Sequence, residues 1–138
     1  MTVVRNAITY FAIVFTFAFA MGVARALVIA PQLGETAAVL LEVPILLALS
    51  WATARRLMRD QHLILSQRIR VGVIAFALTL ASEAVLAALL RGQSLGEWAA
   101  TVAAPLGLVG LAGQLGFAAI PAMVGIASQP PSPPTARV

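Results

Sequence analysis

The fold of this chain follows from one stretch near its start, AITYFAIVFTFAFAMGVARALVIA, residues 7–30. Arg25 is the only charged residue in it. A helix needs about 20 predominantly apolar residues to cross the hydrocarbon of a bilayer, and this stretch exceeds that length. It also continues well beyond the apolar region of a signal peptide. We therefore predict that residues 7–30 form a first membrane-spanning helix that the protein retains.

Three later segments repeat this apolar pattern, with polar or turn-forming residues between them. They are residues 36–54, 71–90 and 98–127. The last segment is long enough to be tilted or broken, and Pro105 and Pro121 are the expected kinks. Residues 128–138 contain four prolines and are expected to form an extended tail. The predicted fold is an all-α, four-helix transmembrane bundle in residues 1–127, followed by that tail.

The composition of the chain excludes several classes of protein. Of 138 residues, 61% are hydrophobic and 10% are charged, and the mean hydropathy is +0.97. A soluble domain is about a quarter charged, so a soluble enzyme is excluded. Without cysteine, and with His62 as the only histidine, the chain offers no thiolate or paired-imidazole ligands. No nucleotide-binding, zinc-protease or serine-hydrolase motif occurs. We expect no enzymatic activity, metal or cofactor.

The distribution of arginine predicts the orientation in the membrane. All nine basic residues are arginine. With four spans, Arg5 and Arg137 share a side with the connection between spans two and three, and only Arg25 and Arg91 fall on the opposite side. Positive residues remain cytoplasmic, so both termini are expected in the cytoplasm, and no nucleic-acid partner is expected. The arginines of that connection are Arg55, Arg56, Arg59, Arg68 and Arg70. They either contact lipid head groups of the inner leaflet or act only as a topology signal.

Three ionisable residues lie inside the predicted spans, on three different helices. At a rise of ~1.5 Å per residue, Arg25, Glu42 and Glu83 lie about 8, 9 and 10 Å below the outer ends of their spans. Charged groups within a membrane span usually face the interior of the bundle. We therefore predict a buried polar cluster of Arg25, Glu42 and Glu83, with Glu35 on the same face of its helix as Glu42.

This cluster admits two interpretations. In one, an ion pair of Arg25 with Glu42 is structural and locks the helices together, and Glu83 is protonated or bonded to a neighbour. In the other, the cluster binds a proton, a cation or an amine, with Glu83 as the titrating group, because one arginine cannot neutralise two carboxylates in a low dielectric. Structural networks and functional sites both produce such arrangements.

The fourth span contains glycine at every third position: Gly107, Gly110, Gly113 and Gly116. Small residues let neighbouring helix backbones approach closely, which predicts a packing surface. Glycine also permits local unwinding, and an unwound ligand-binding segment is the alternative interpretation.

The sequence GVARAL at residues 22–27, followed by Pro31, Gly34-Glu35 and Glu42-Val43-Pro44, resembles a group of small bacterial inner-membrane proteins with four predicted spans and no known function. The resemblance covers mainly spans one and two. It implies a location in a bacterial inner (plasma) membrane.

These features favour a non-enzymatic membrane protein that acts by helix association, as a homo-oligomer or as an accessory subunit of a larger membrane complex. The first alternative is a small proton-linked transporter or channel in which Glu83 titrates. The second is a protein that binds membrane lipid, near Arg25 or the arginine-rich connection.

Overall fold

The computed structural model describes residues 2–59 and 61–127. In that part of the chain the protein is all-helical, without β-strands, and four helices are long and apolar enough to cross a membrane. The predicted all-α fold and the four span-length apolar helices are therefore confirmed. The predicted tail, residues 128–138, lies outside the described residues.

The helices follow one another with short connections. In chain order they are α1 (Thr2–Ala24), a π-helical turn (Arg25–Ile29), α2 (Ala30–Leu33), α3 (Glu35–Met58), α4 (Leu65–Arg91), α5 (Leu95–Ala103) and α6 (Pro105–Ala127). The four helices of span length are α1 continued through α2, then α3, α4 and α6. They begin and end differently from the predicted spans, because the polar residues flanking the apolar segments are helical as well.

The first long helix changes its winding near its end. In the π-helical turn, the N–H of Ala30 donates to the carbonyl of Arg25, five residues back. Pro31 accounts for this wider turn, because its ring would clash with the carbonyl four residues earlier and it has no N–H to donate. Gly34 then reverses the chain at φ 83°, a conformation that favours glycine.

The predicted fourth span is two helices rather than one. Ala104 is extended, at φ −67° and ψ 156°, and separates α5 from α6. The residue before a proline disfavours the helical conformation, so Pro105 places the break here. Pro121 lies inside α6, which continues past it. The span predicted as residues 98–127 is therefore corrected to α6, preceded by the short α5.

The four long helices form a ring in which each packs against two others. α1 and α6 each pack against both α3 and α4. Among the described residues, α3 and α4 lie diagonally opposite and have no Cα atoms within 8 Å of each other, and the same holds for α1 and α6. A side chain from α1 nevertheless crosses the centre of the ring, since the rings of Tyr10 and Phe117 stack with centroids 4.6 Å apart.

The bundle has two ends with different packing. We call the end at which α1 and α4 begin and α3 and α6 finish the Tyr10 end, and the opposite end the Arg25 end. Apart from Ala38, Val39 and Ala87, every described side chain classed as buried lies at the Tyr10 end. The apolar core there consists of Ala7, Tyr10, Val14, Ala54, Met58, Val71, Ala75, Phe117, Ile120 and Val124.

Large apolar side chains cover the outside of all four long helices. The most exposed on α1 to α4 include Phe17, Leu27, Leu33, Leu40, Val73, Leu89 and Leu90. Contiguous apolar surface of this extent is unusual for a protein in water. It suits helices surrounded by hydrocarbon.

Candidate functional site

The ion pair between Arg25 and Glu42 joins the first two long helices at the Arg25 end. Arg25 is the first residue of the π-helical turn, and Glu42 lies on α3. Arg25 Nε is 2.8 Å from Glu42 Oε2. The Arg25 side chain is 31% exposed and the Glu42 side chain 15%, so the chain covers the pair only in part.

Both helices are irregular beside this ion pair. The π-helical turn begins at Arg25, and Pro44 interrupts the hydrogen bonding of α3 two residues after Glu42. Single π-helical turns inside α-helices occur frequently at functional sites. The only charged pair in contact among the described residues thus lies beside a π-helical turn on one helix and a proline on the other, although α3 stays α-helical through Pro44.

Glu83 does not join this ion pair. Its Oε1 accepts a hydrogen bond from Gln114 Nε2 of α6 at 2.5 Å. No nitrogen of Arg25 lies within 4 Å of a Glu83 oxygen in the described structure, and neither α3 nor the π-helical turn has a Cα atom within 8 Å of α4. The predicted three-helix cluster is therefore corrected to two separate polar contacts, because α3 and α4 are diagonal in the ring.

Gln114 was not expected to be the partner of Glu83. The sequence places it among the glycines of the fourth span, where its role cannot be read from spacing alone. Its Nε2 binds Glu83, and its Oε1 is buried without a hydrogen-bond partner among the described residues. The signal in the sequence was that Gln114 is a polar residue within an otherwise apolar span, where polar side chains usually have a partner.

Glu35 lies apart from both contacts. It is exposed in the first turn of α3, and no described arginine lies within 4 Å of its carboxylate. A carboxylate at a helix N-terminus interacts favourably with the helix dipole. The position of Glu35 gives it that role rather than one inside the cluster.

The glycines of α6 pack within the chain, and not all in the same way. A Cβ on Gly113 would lie 3.0 Å from the side chain of Val43 on α3. A Cβ on Gly116 would lie 2.9 Å from the side chain of Leu47, also on α3. A Cβ on Gly107 would overlap backbone carbonyls at the end of α5, whereas one on Gly110 would meet nothing within 4 Å.

The closest contact between helices at a glycine is at Gly72 of α4, which the sequence pattern did not indicate. A Cβ there would overlap the backbone carbonyl of Ala118, so α4 and α6 touch through their backbones. An isolated glycine in an apolar helix gave no periodic signal, and only the neighbour on α6 explains it.

The Tyr10 hydroxyl completes a hydrogen bond that a proline removes. It donates to the carbonyl of Phe117 at 2.9 Å. In a regular helix that carbonyl would accept from the N–H four residues later, but that residue is Pro121, which has none. α6 therefore stays helical through Pro121, and α1 satisfies the free carbonyl; the kink expected at Pro121 stays a prediction.

The arginines predicted to contact lipid head groups occupy two environments. Arg55, Arg56, Arg59 and Arg70 are exposed at the Tyr10 end. Arg68 is only 8% exposed, and its Nε donates to the carbonyl of Leu63 at 3.0 Å. The prediction for Arg68 is corrected, because its guanidinium holds the connection between α3 and α4.

The same connection is tied to α1. Asn6 Nδ2 donates to Gln61 Oε1 at 2.5 Å, and Gln61 Nε2 donates to the carbonyl of Leu57 at 2.9 Å. His62 is exposed beside it. Through Gln61, the connection therefore links α1 with the last turn of α3 at the Tyr10 end.

The chemistry of these contacts is limited to charge, hydrogen bonding and proton exchange. In residues 2–59 and 61–127, no three His, Asp or Glu side chains come together as a metal-binding group. Among the described residues, buried side-chain atoms without a hydrogen-bond partner include Arg25 Nε in the ion pair and Gln114 Oε1 beside Glu83. The chain matches no protein-family model, no curated protein and no solved structure.

Proposed function

We propose that this chain is a non-enzymatic multi-pass protein of a bacterial inner membrane that acts by helix association, and that it forms homo-oligomers through the outer face of α1. The four apolar helices support the membrane location. The resemblance of residues 22–44 to small bacterial inner-membrane proteins supports the compartment. An accessory subunit that binds a different membrane protein through the same face is the other form of this proposal.

The observation that carries the proposal is a stripe of small residues on the exposed side of α1. Ala12, Thr16, Ala20 and Ala24 are spaced four residues apart and are all exposed. The hydroxyl of Thr16 donates to the carbonyl of Ala12 at 2.7 Å, so its hydrogen bond is already formed within α1. Repeated small residues at this spacing let two membrane helices approach closely.

Three of the four repeated glycines of α6 pack within the chain, and the fourth, Gly110, is a single open position rather than a stripe. Gly113 and Gly116 pack on α3, and Gly107 packs on the end of α5. Their close contacts are used inside one copy of the chain, so contact between copies needs another small-residue surface. The stripe on α1 is uncovered over its whole length in the described structure.

Substitution on the stripe tests the proposal. Ala20→Leu should raise the dissociation constant of the dimer about tenfold, which corresponds to about 1.4 kcal/mol, because the added side chain separates the helices. Ala48→Leu, on an exposed position of α3, is the matched control and should leave the oligomer intact. Native mass spectrometry of detergent-extracted protein measures both. A wild-type protein that is monomeric with no bound partner, or equal effects of the two variants, would contradict the proposal.

We also propose that both termini face the cytoplasm. Arginine counts on the two sides support this orientation. Because the chain has no cysteine, single cysteines report it cleanly. A membrane-impermeant maleimide should label Leu95→Cys in intact spheroplasts, and His62→Cys only after permeabilisation. The reverse pattern would place the termini outside.

A proton-linked carrier is the second candidate function, and the Glu83–Gln114 contact favours it. Gln114 Oε1 is buried and has no partner, so a protonated Glu83 could donate to it after the amide rotates. The pair can therefore hold or release a proton without leaving both groups unpaired. Glu83→Gln should abolish pH-driven flux in vesicles, measured with an enclosed pH-sensitive dye. Glu35→Gln is the control. Flux that survives Glu83→Gln would exclude this function.

A further inference from the structure

The Arg25–Glu42 ion pair leaves hydrogen-bonding atoms of both residues unused. Arg25 Nε lies 2.8 Å from Glu42 Oε2, yet it is buried without a hydrogen-bond acceptor in line with its N–H. Among the described residues, none accepts from the guanidinium of Arg25 and none donates to the carboxylate of Glu42. A guanidinium has five N–H donors, so the site has unfilled donors beside unfilled acceptors.

Arg25 Nε is buried, but the two side chains are partly exposed on the side of the bundle. Arg25 is 31% exposed, and the residues around the pair on the same helices include Leu27, which is 73% exposed, and the exposed Leu41. Gly22 lies about one turn before Arg25, and a Cβ added to it would have no other atom within 4 Å. A ligand reaching the pair must therefore combine polar groups with an apolar environment.

The depth of the pair places it close to the head-group layer. The π-helical turn and α2 carry the first long helix eight residues beyond Arg25, to Leu33, which is about 12 Å at ~1.5 Å per residue. The long helices span about 35–48 Å at that rise, and the hydrocarbon of a bilayer is about 30 Å thick. Several ångströms at each helix end therefore lie among the head groups, and the pair is just below them.

The charges of the pair select the ligand. One positive and one negative group, side by side, complement a zwitterion: a phosphate binds a guanidinium through paired N–H···O bonds, and a primary ammonium donates to a carboxylate. We propose that Arg25 and Glu42 form the head-group site of an aminophospholipid of the phosphoethanolamine class, with its acyl chains along the exposed apolar side chains of α1 and α3.

Other phospholipids satisfy only part of this site. A choline head group has no N–H to donate to Glu42, and an anionic glycerol head group places no cation beside that carboxylate. The aminophospholipid satisfies both the guanidinium and the carboxylate. Glu42 therefore distinguishes ethanolamine from the other head groups, and Arg25 binds the phosphate that all three lipids share. This site is on the side of α1 that faces α3, and the proposed association stripe is on its exposed side.

The test uses the full chain, extracted in mild detergent and offered an equimolar mixture of three lipids with identical acyl chains and ethanolamine, choline or glycerol head groups. Native mass spectrometry should show the ethanolamine lipid retained about tenfold over the choline lipid, the ratio for one charge-assisted hydrogen bond. Glu42→Gln should bring that ratio close to one. Glu35→Gln, which alters an exposed glutamate on the same helix, should leave it unchanged.

Several results would overturn the proposal. They are equal retention of ethanolamine and choline lipids by the wild type, preference for the anionic lipid, or a preference that survives Glu42→Gln. If Glu42→Gln does not fold, the double variant Arg25→Gln/Glu42→Gln keeps the site neutral and should lose retention of all three lipids. Displacement by excess soluble phosphoethanolamine would reassign the site to a soluble ligand.

This inference fails separately from the proposed function. Ala20→Leu should dissociate the oligomer and keep the ethanolamine preference, whereas Glu42→Gln should remove the preference and keep the oligomer. Loss of the oligomer in Glu42→Gln would instead make the ion pair a contact between copies.

Discussion

The two ends of the bundle accommodate proline in opposite ways. At the Tyr10 end, Pro121 leaves the Phe117 carbonyl without its helical donor, and the Tyr10 hydroxyl supplies one from across the ring. At the Arg25 end, Pro31 is accommodated by a π-helical turn and Pro105 by a break in the helix. A side chain from another helix thus supplies the missing donor at Pro121, whereas the backbone itself changes shape at Pro31 and at Pro105.

The two ends of the bundle also differ in how many side chains they bury. Almost all buried side chains lie at the Tyr10 end, and the charged pair within the spans lies at the Arg25 end. Buried contacts hold a structure in one arrangement, while regions with few of them open at low free-energy cost. We infer that the Tyr10 end anchors the bundle and that exchange with ligands or protons takes place at the Arg25 end.

The largest expected effect comes from the closest helix contact. Gly72→Ala places a methyl group on the backbone carbonyl of Ala118, and overpacking of this kind costs about 2 kcal/mol. Gly110→Ala is the matched control, because its added methyl meets nothing within 4 Å and alanine is the better helix former. Thermal unfolding in detergent should show a lower Tm for Gly72→Ala only. Equal Tm values would show that the Tyr10 end is not the tighter one.

A smaller effect is expected from the hydrogen bond that spans the ring. Tyr10→Phe leaves the Phe117 carbonyl unpaired and should cost about 1–2 kcal/mol. In a Pro121→Ala background, the backbone N–H of residue 121 can donate to the Phe117 carbonyl. Tyr10→Phe should therefore lower the free energy of unfolding clearly less in that background. A double-mutant cycle of unfolding free energies measures this coupling. Additive effects would mean that the tyrosine hydroxyl does not replace the missing donor.

The smallest expected effect concerns α5, at the Arg25 end. The backbone N–H and hydroxyl of Ser94 donate to Glu97 Oε2 at 2.7 Å and 2.8 Å, and they lower the pKa of Glu97 below its ordinary value of 4.5. A lowered pKa means that the stabilisation is complete above the ordinary value and is lost as the pH falls through the folded-state pKa.

The fluorescence of Trp98, the next residue, should therefore change as the pH falls below the ordinary value of 4.5 and the carboxylate takes up a proton. Glu97→Gln should remove that dependence, while Glu35→Gln should preserve it. Fluorescence that is independent of pH in the wild type would show that the cap does not control α5.

Much of the architecture was predictable because it depends on local composition. Long apolar segments specify span-length helices, and Pro105 specifies the break before α6 through its effect on Ala104. The pairing of Arg25 with Glu42 was within reach, because both are charged residues at similar depth on consecutive helices. The partner of Glu83 was not, since depth alone does not tell adjacent helices from diagonal ones.

The amino-acid pattern alone determined four helices that are long and apolar enough to cross a membrane, because a helix pairs its own backbone groups and so can bury an apolar segment in lipid. Only the tertiary structure decided which polar groups meet. The order of the helices around the ring brings α4 beside α6 and separates it from α3, and hydrogen bonds act over about 3 Å. That short range is why Glu83 binds Gln114 and why Tyr10, rather than any residue of α6, completes the helix at Pro121.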